Sequence, residues 1–390
     1  MSLIRPKRPR FNDISASGST PMIDLSIDLA ALRHNYRQIR QCCGPGVKML
    51  AVVKADAYGH GLVPVSRALV AEAVDYLGVA YLGEGLALRQ AGITTPILML
   101  MGILPQDAAS VVAHDLEVVV FRADVVEALV AQARQQGKRI LVHLKVDTGM
   151  GRLGLPPEEV MDFLNWLRGF PELSVMGLIS HFAVADQADK FYTLQQLARF
   201  TALLQEARHA GWSVPLSHIS NSAACLELDA AHLGMVRPGI MLYGSPPAPD
   251  RPPPVTLKPV MAMQTQILQL KRLPPGCSIS YGCTFTTSAE CLVAVLPVGY
   301  CNGYSRHLSN CGEVLIRGQR APIRGRVCMN LTMVEVTHIA AAQEGDLVTL
   351  LGADQGDRIT ADDLAAWTGT ISYEFYCLLG NSNPRRFLGE

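Results

Sequence analysis

Charge is scarce in this chain of 390 residues: Asp, Glu, Lys and Arg supply 17% of it, against 49% for the apolar types. Disordered chains show the reverse balance, so a largely unfolded protein is excluded. Lys plus Arg and Asp plus Glu each number 34, which leaves no net charge and no basic excess for a nucleic-acid backbone. Long apolar runs are missing too. The longest, Pro96–Leu104 (PILMLMGIL), reaches about half of the ~18 residues that a membrane helix needs. The ten cysteines include no C-x-x-C pair, which speaks against a zinc site and against a disulfide scaffold. Residues 1–21 carry basic residues, Pro and Ser but no apolar stretch of signal-peptide type, so they read as a disordered arm. Reduced thiols and a cytoplasmic location are the expectation.

What is present is a strong pattern. Before residue 246, short Val-, Ile- and Leu-rich runs alternate with amphipathic stretches: MLAVVK (49–54), YLGVA (76–80), PILMLM (96–101), LEVVVF (116–121), RILVHLKVD (139–147), SVMGLISHF (174–182), PLSHIS (215–220) and MVRPGIMLYG (235–244). Continuous apolar strands separated by helices imply a parallel sheet covered on both faces, and eight of them suit an α/β fold of the (β/α)8 TIM-like barrel type. A doubly wound open sheet is the alternative. The stretch 246–254, PPAPDRPPP, holds six prolines in nine positions and marks a boundary. Beyond it come strand patterns and one clear helix, TADDLAAW (360–367), with Thr360 as its N-cap. The expected organisation is an arm over 1–21, a barrel over 22–255 and a mostly β domain over 256–390.

Barrels place their chemistry at the C-terminal ends of the strands. Those ends hold Lys54, then Lys145, Asp147 and Arg152, then Ser180 and His181, then Ser220, Asn221 and Ser222, and finally Arg237 before Pro238 and Gly239. No one of them is a strong signal; their convergence is. A lysine at the edge of a dry barrel is partly desolvated, which favours the neutral amine needed for Schiff-base chemistry. The loops after strands 7 and 8 commonly bind phosphate. A lysine facing a phosphate cradle suggests pyridoxal 5'-phosphate.

The motifs AVVKADAYGHG, HLKVDTGMGRLG, SHFA, HISNSAA, MVRPGIMLYG, SYGCTF, PVGYCNGY and GRVCMNLTMVEV, in order from about Leu25 to Arg385, resemble the alanine racemase family. The resemblance implies a pyridoxal-phosphate isomerase that interconverts L- and D-alanine, built from a barrel and a β domain. By that resemblance Lys54 holds the cofactor as an internal aldimine and acts as one base, and Tyr281 acts as the other from the opposite face. An ordinary phenol titrates near ~10, so a tyrosine base needs stabilisation of its phenolate, with His181 beside it and Arg237 behind. Arg237 meets the pyridine nitrogen and, as a donor that keeps its proton, leaves that nitrogen unprotonated. Cofactor contacts are implied for Tyr58, His181, Asn221, Ser222, the backbone at Gly239 and Ile240, and Tyr373, with Tyr300 lining the site. Arg152 and the backbone N–H of Met329 take the substrate carboxylate. Lys145 matches a position carbamylated in many members. The resemblance also implies a head-to-tail homodimer whose Tyr281 domain completes the partner's barrel site, with D-alanine destined for cell-wall synthesis.

This chain departs from the family pattern at three positions, with Cys283 where Arg is usual and Asn302 and Asn330 where Asp is usual. The two asparagines remove negative charge near the entrance or carboxylate side, which puts substrate identity in question more than reaction type. A racemase of serine or broader range is the second reading. A non-catalytic cofactor carrier, resembling the barrel alone, is a distant third.

Overall fold

A computed structural model describes residues 22–389 apart from 249 and 252. The arm expected over 1–21 lies outside the described residues. The chain divides into two compact units, one formed by Leu29–Val260 and the other by the segment ending at Asp28 together with Met261–Leu388.

Strands are numbered along the chain. The first, β1 (Asp24–Asp28), belongs to the second unit. The first unit holds β2 (Lys48–Val52), β3 (Tyr76–Val79), β4 (Ile97–Met99), β5 (Glu117–Val120), β6 (Ile140–Lys145), β7 (Leu173–Ile179) and β8 (Met235–Val236). All pair in parallel, in the order β7-β6-β5-β4-β3-β2-β8. The seventh run expected from sequence, 215–220, is not a regular strand, yet it occupies the place of one. On one side His218 N donates to Leu178 O at 2.9 Å and Ser180 N to His218 O at 3.1 Å; on the other, Gly234 N donates to Ser217 O and Arg237 N to Ser220 O, both at 3.1 Å. Those bonds close the curled sheet into a barrel. Regular pairing fails there because Ser217 turns its hydroxyl onto the backbone, accepting from Leu178 N at 3.0 Å and donating to Val214 O at 2.9 Å.

The connecting helices follow from amphipathic spacing. In Ala123–Gln136, residues Val125, Val126, Leu129, Val130 and Ala133 are buried at helical intervals, and the helix stops at Gly137, whose φ of 63° suits glycine. Burial of each such Val or Leu is worth about 1.5–3 kcal/mol. The long helix expected before Gly211 spans Phe191–His209.

The second unit holds β9 (Met261–Gln266), β10 (Gln269–Leu273), β11 (Ser278–Ile279), β12 (Phe285–Thr286), β13 (Cys291–Leu296), β14 (Glu313–Ile316), β15 (Gln319–Pro322), β16 (Thr332–Glu335), β17 (Leu347–Asp354), β18 (Asp357–Ile359) and β19 (Arg385–Leu388). Its main sheet runs β15-β14-β17-β9-β1-β19, with β18 on β17; β10-β13-β16 and β11-β12 form two smaller sheets. The sequence reading places the segment from residue 22 in the barrel, but β1 pairs antiparallel with β9 and parallel with β19. Its alternation explains this, since only Leu25 and Ile27 of DLSID are buried. One face to the core suits a mixed sheet, not a barrel covered on both sides. The run 261–273 breaks at Ile267 and Leu268 into two strands of different sheets. A second helix, Ser372–Ser382, follows the expected one, here Ala361–Thr368. Its aromatic residues favour helix weakly; burial of Phe375, Tyr376 and Leu379 decides its state. No helix among the described residues is long and apolar enough to cross a membrane.

Candidate active site

Lys54 stands two residues past β2. The four residues after it, Ala55, Asp56, Ala57 and Tyr58, have φ of 54°, 54°, 55° and 53°, one turn of left-handed helix without a glycine. Such a conformation costs roughly 1–2 kcal/mol per L-residue, so it needs outside support. Glu84 provides it: one carboxylate oxygen accepts from Ala55 N at 2.6 Å, the other from Ala80 N at 2.8 Å and Tyr81 N at 3.1 Å. Asp56 Oδ1 accepts from Leu62 N at 2.7 Å and fixes the exit. The turn buries Tyr58 against Tyr243, ring centres 4.8 Å apart.

Tyr58 also reaches the loop after β8. A Cβ on Gly239 would lie 2.6 Å from Tyr58 Oη, so any larger residue would have to push the Tyr58 ring aside. Gly239 N donates to Ser222 Oγ at 2.9 Å. Ser222 opens the helix Ser222–Glu227, which Asn221 caps by accepting from Ala224 N at 3.1 Å. Ile240 opens the next helical turn, Ile240–Tyr243. A phenol, a hydroxyl, a bare glycine and two helix starts in one corner fit a phosphate-bearing group.

Arg237 is buried at the centre of the barrel end. Its Nη2 donates to Ser180 O at 2.8 Å, Ile219 O at 3.0 Å and His181 Nδ1 at 3.1 Å, and its Nη1 donates to His218 Nδ1 at 2.7 Å. A guanidinium only donates, so both histidines accept at Nδ1 and carry their proton on Nε2. Burial, then the charge of Arg237, holds both imidazoles well below their ordinary range, and they are neutral. His181 is steadied from behind by Gln196, which donates to its carbonyl at 3.0 Å.

Arg152 sits on the rim loop after β6. Asp147 builds that loop, its carboxylate accepting from the backbone N–H groups of Gly149, Met150, Gly151 and Arg152 at 2.8–3.1 Å. Burial pushes the Asp147 carboxyl up, but these four bonds outweigh it and leave the group below its usual value. Lys145, buried beneath, is brought down to about 7 by burial and by the charges of Arg237 and Arg152. At neutral pH much of it is therefore the nucleophilic free amine.

Tyr281, Met329, Tyr300 and Tyr373 belong to the second unit. Tyr281 is 72% exposed and Met329 56%, on a surface that also carries Tyr300. Ser280 Oγ donates to Arg326 O at 2.6 Å and Tyr300 N to Cys328 O at 3.1 Å, which ties the Tyr281 and Tyr300 loops to the same loop between β15 and β16. Asn302 and Asn330 meet through Cys301: the Cys301 thiol donates to Asn302 Oδ1 at 3.2 Å, and Asn330 Nδ2 donates to Cys301 Sγ at 2.8 Å. The substitutions thus form one neutral cluster. Cys283 is exposed beside Tyr281 and takes no part in it.

Sequence reasoning missed the polar residues inside the barrel, His218, His143 and Glu117. Their signal was present, as a histidine in ILVHLK and another in LSHIS, each within a run otherwise fit for the core. Among the described residues no group of three or more His, Cys, Asp and Glu could hold a metal ion.

Comparison with known proteins identifies the family. Residues 27–247 match the family model for the alanine racemase N-terminal domain, and residues 260–387 that for its C-terminal domain. An alanine racemase of Syntrophobacter fumaroxidans is 47% identical over 363 residues, covering 93% of this chain and 96% of the relative. One from Desulfovibrio desulfuricans is 44% identical, covering 93% and 97%. Among solved structures, the alanine racemase of Streptomyces lavendulae superposes with a TM-score of 0.90 at 33% identity, covering 95% of this chain and 98% of that one. The chain belongs to the alanine racemase family.

Proposed function

We propose that this protein interconverts L- and D-alanine with pyridoxal 5'-phosphate held in the barrel, using Lys54 and Tyr281 of the partner subunit as two bases. The observation that carries this is the gathering of Lys54, Tyr58, Ser222 and Gly239 at the barrel end around a buried Arg237, in a chain of this family. Tyr58, Ser222 and the backbone at Gly239 and Ile240 would hold the phosphate, with Asn221 supporting the helix start and Tyr373 adding its hydroxyl. When bound, the cofactor supplies an electron sink that acidifies the α-proton of the amino acid. Lys54 takes or returns that proton on one face, and Tyr281 of the partner subunit does so on the other. Removal on one face and return on the other inverts the centre.

His181 has its Nδ1 occupied by Arg237, so its Nε2–H is left to donate outward, which suits stabilisation of a phenolate. Arg152 orients the substrate carboxylate, with the Met329 N–H. Carbamylation of Lys145 joins its neutral amine to CO2 and releases a proton; the resulting anion would orient Arg152 in place of a repelling cation. A homodimer is supported by exposed apolar groups on both units, with Tyr281 and Met329 on one and Tyr81 and Phe191 on the other. A reducing cytoplasm suits ten cysteines that are all free.

The test is chiral chromatography of an L-amino-acid panel after incubation with the cofactor-loaded protein, beside Lys54→Ala and Tyr281→Phe. D-Alanine as the dominant product, lost in both variants, is the expected outcome. D-Serine or a basic D-amino acid in first place would move the substrate, and no D-product from any of them would sink the racemase reading.

A further inference from the structure

The interior of a barrel is usually filled by layers of apolar side chains. Here it holds a line of polar ones. His218 Nε2 lies 3.0 Å from His143 Nδ1, and His143 Nε2 lies 3.3 Å from Glu117 Oε2. His143 and His218 are fully buried and Glu117 nearly so. Glu117 opens β5 and His143 lies within β6, so the line starts at the N-terminal end of one strand and ends at Arg237, just past β8. At the far end the Glu117 carboxylate acts electrostatically on Tyr76, the first residue of β3. Burial and that carboxylate push the Tyr76 phenol up, so it remains neutral.

The proton positions are dictated by the ends. Arg237 can only donate, so His218 accepts at Nδ1 and donates from Nε2. His143 then accepts at Nδ1 and donates from Nε2 to Glu117. Every link points from the guanidinium towards the carboxylate, and no alternative pattern satisfies all the buried nitrogens.

We infer that Glu117, His143 and His218 are positioning residues: a one-way hydrogen-bonded relay that orients the Arg237 guanidinium and supplies its counter-charge from across the barrel. Arg237 sets the tautomer of His218, and the relay carries that order on to Glu117. It acts on His181 only through Arg237, whose second nitrogen holds His181 Nδ1. Apart from backbone carbonyls, Arg237 has only these two imidazoles as hydrogen-bond partners among the described residues. Loss of the relay therefore frees the guanidinium to rotate. The catalytic consequence rests on the reading of Arg237 as a cofactor-facing group; the tautomers do not.

The first arm of the test is nitrogen-15 NMR of histidine-labelled, cofactor-free protein at pH 7.5. His143 and His218 are expected as neutral rings protonated on Nε2. A proton on Nδ1 of either, or a doubly protonated His218, would overturn the relay. The second arm loads pyridoxal 5'-phosphate and compares His143→Phe, Glu117→Gln and Glu117→Asp. His143→Phe is expected to lower kcat about tenfold with KM within about twofold, and to shift the visible band of the bound cofactor. Glu117→Gln keeps the acceptor but loses the charge, so an intermediate loss is expected, with recovery in Glu117→Asp. Should His143→Phe not fold, unchanged kcat and an unchanged band in Glu117→Gln would still overturn the inference. Failure of the native protein to give any visible band would instead sink the cofactor reading, leaving the tautomers to decide the relay.

Discussion

The two units solve opposite problems. The barrel unit keeps its chemistry inside: Arg237, His218, Lys145 and Tyr58 are all buried, and Arg237 and His218 are held by several partners. The β unit carries Tyr281, Tyr300 and Met329 on its surface. Buried groups can have their charge and tautomer set within one chain, as Arg237 sets those of His181 and His218. Exposed ones acquire a defined environment only when another surface covers them. On the proposed reading, the barrel unit supplies one half of a site, and the exposed Tyr281 is a residue that needs a counterpart.

The sharpest way to break this contrast is complementation. Lys54→Ala and Tyr281→Phe proteins are each expected to be inactive. Unfolded together and refolded as an equal mixture, they should recover about one quarter of native activity, because half of the dimers are mixed and each has one of two sites intact. No recovery would place Lys54 and Tyr281 of the same chain in one site and remove the case for a shared one.

The next effect concerns charge within the barrel. Lys145 titrates near 7 in the folded protein, below the ~10.4 of a free lysine, so between these values the unfolded chain binds more protons. Stability from this group therefore rises as pH climbs from about 7 to about 10, and the cost of burying its cation is fully present below 7. In CO2-free buffer, Lys145→Met is expected to raise Tm by several degrees at pH 6 and to lose most of that gain at pH 9.5. A gain independent of pH would show that packing, not charge, sets the difference. Added bicarbonate at pH 8 should raise the native mass by one CO2 and leave the variant unchanged.

What the sequence made legible follows the same division. Lys54, Arg152, His181, Ser222 and Arg237 could be found because a barrel directs its strand ends to one rim, and periodic apolar runs reveal those ends. The left-handed turn after Lys54 could not, because Ala-Asp-Ala-Tyr carries no glycine and the conformation depends on Glu84, distant in sequence. The membership of β1 in the second unit was hidden for a similar reason: it is fixed by pairing with strands more than 200 residues away. Tyr281 was legible only through resemblance, since an exposed tyrosine in a loop has no local pattern that marks it as a base.

On the exposed side, single charges should matter less. Asn330→Asp places a carboxylate in the neutral Asn302–Cys301–Asn330 cluster, where water screens it. An exposed charge is worth about 0.2–1 kcal/mol, so the ratio of kcat/KM between anionic and neutral amino acids should fall by no more than roughly fivefold. A ratio identical to that of the native protein would show that the cluster does not face the substrate.

The smallest effect tests whether the β unit is ordinary in its local rules. Thr360 and Asp363 form a reciprocal cap, with Asp363 N donating to Thr360 Oγ1 at 3.0 Å and Thr360 N donating to the Asp363 carboxylate at 2.8 Å. Thr360→Ala should cost about 1 kcal/mol of stability, read by urea denaturation, and leave racemisation at saturating alanine unchanged. The helix it caps buries Ala361, Leu364 and Ala365 within its own unit, so the loss should stay there. A drop in kcat with stability unaltered would mean that this helix end bears on the Tyr281 surface, and that the β unit sets that tyrosine from within as the barrel sets its arginine.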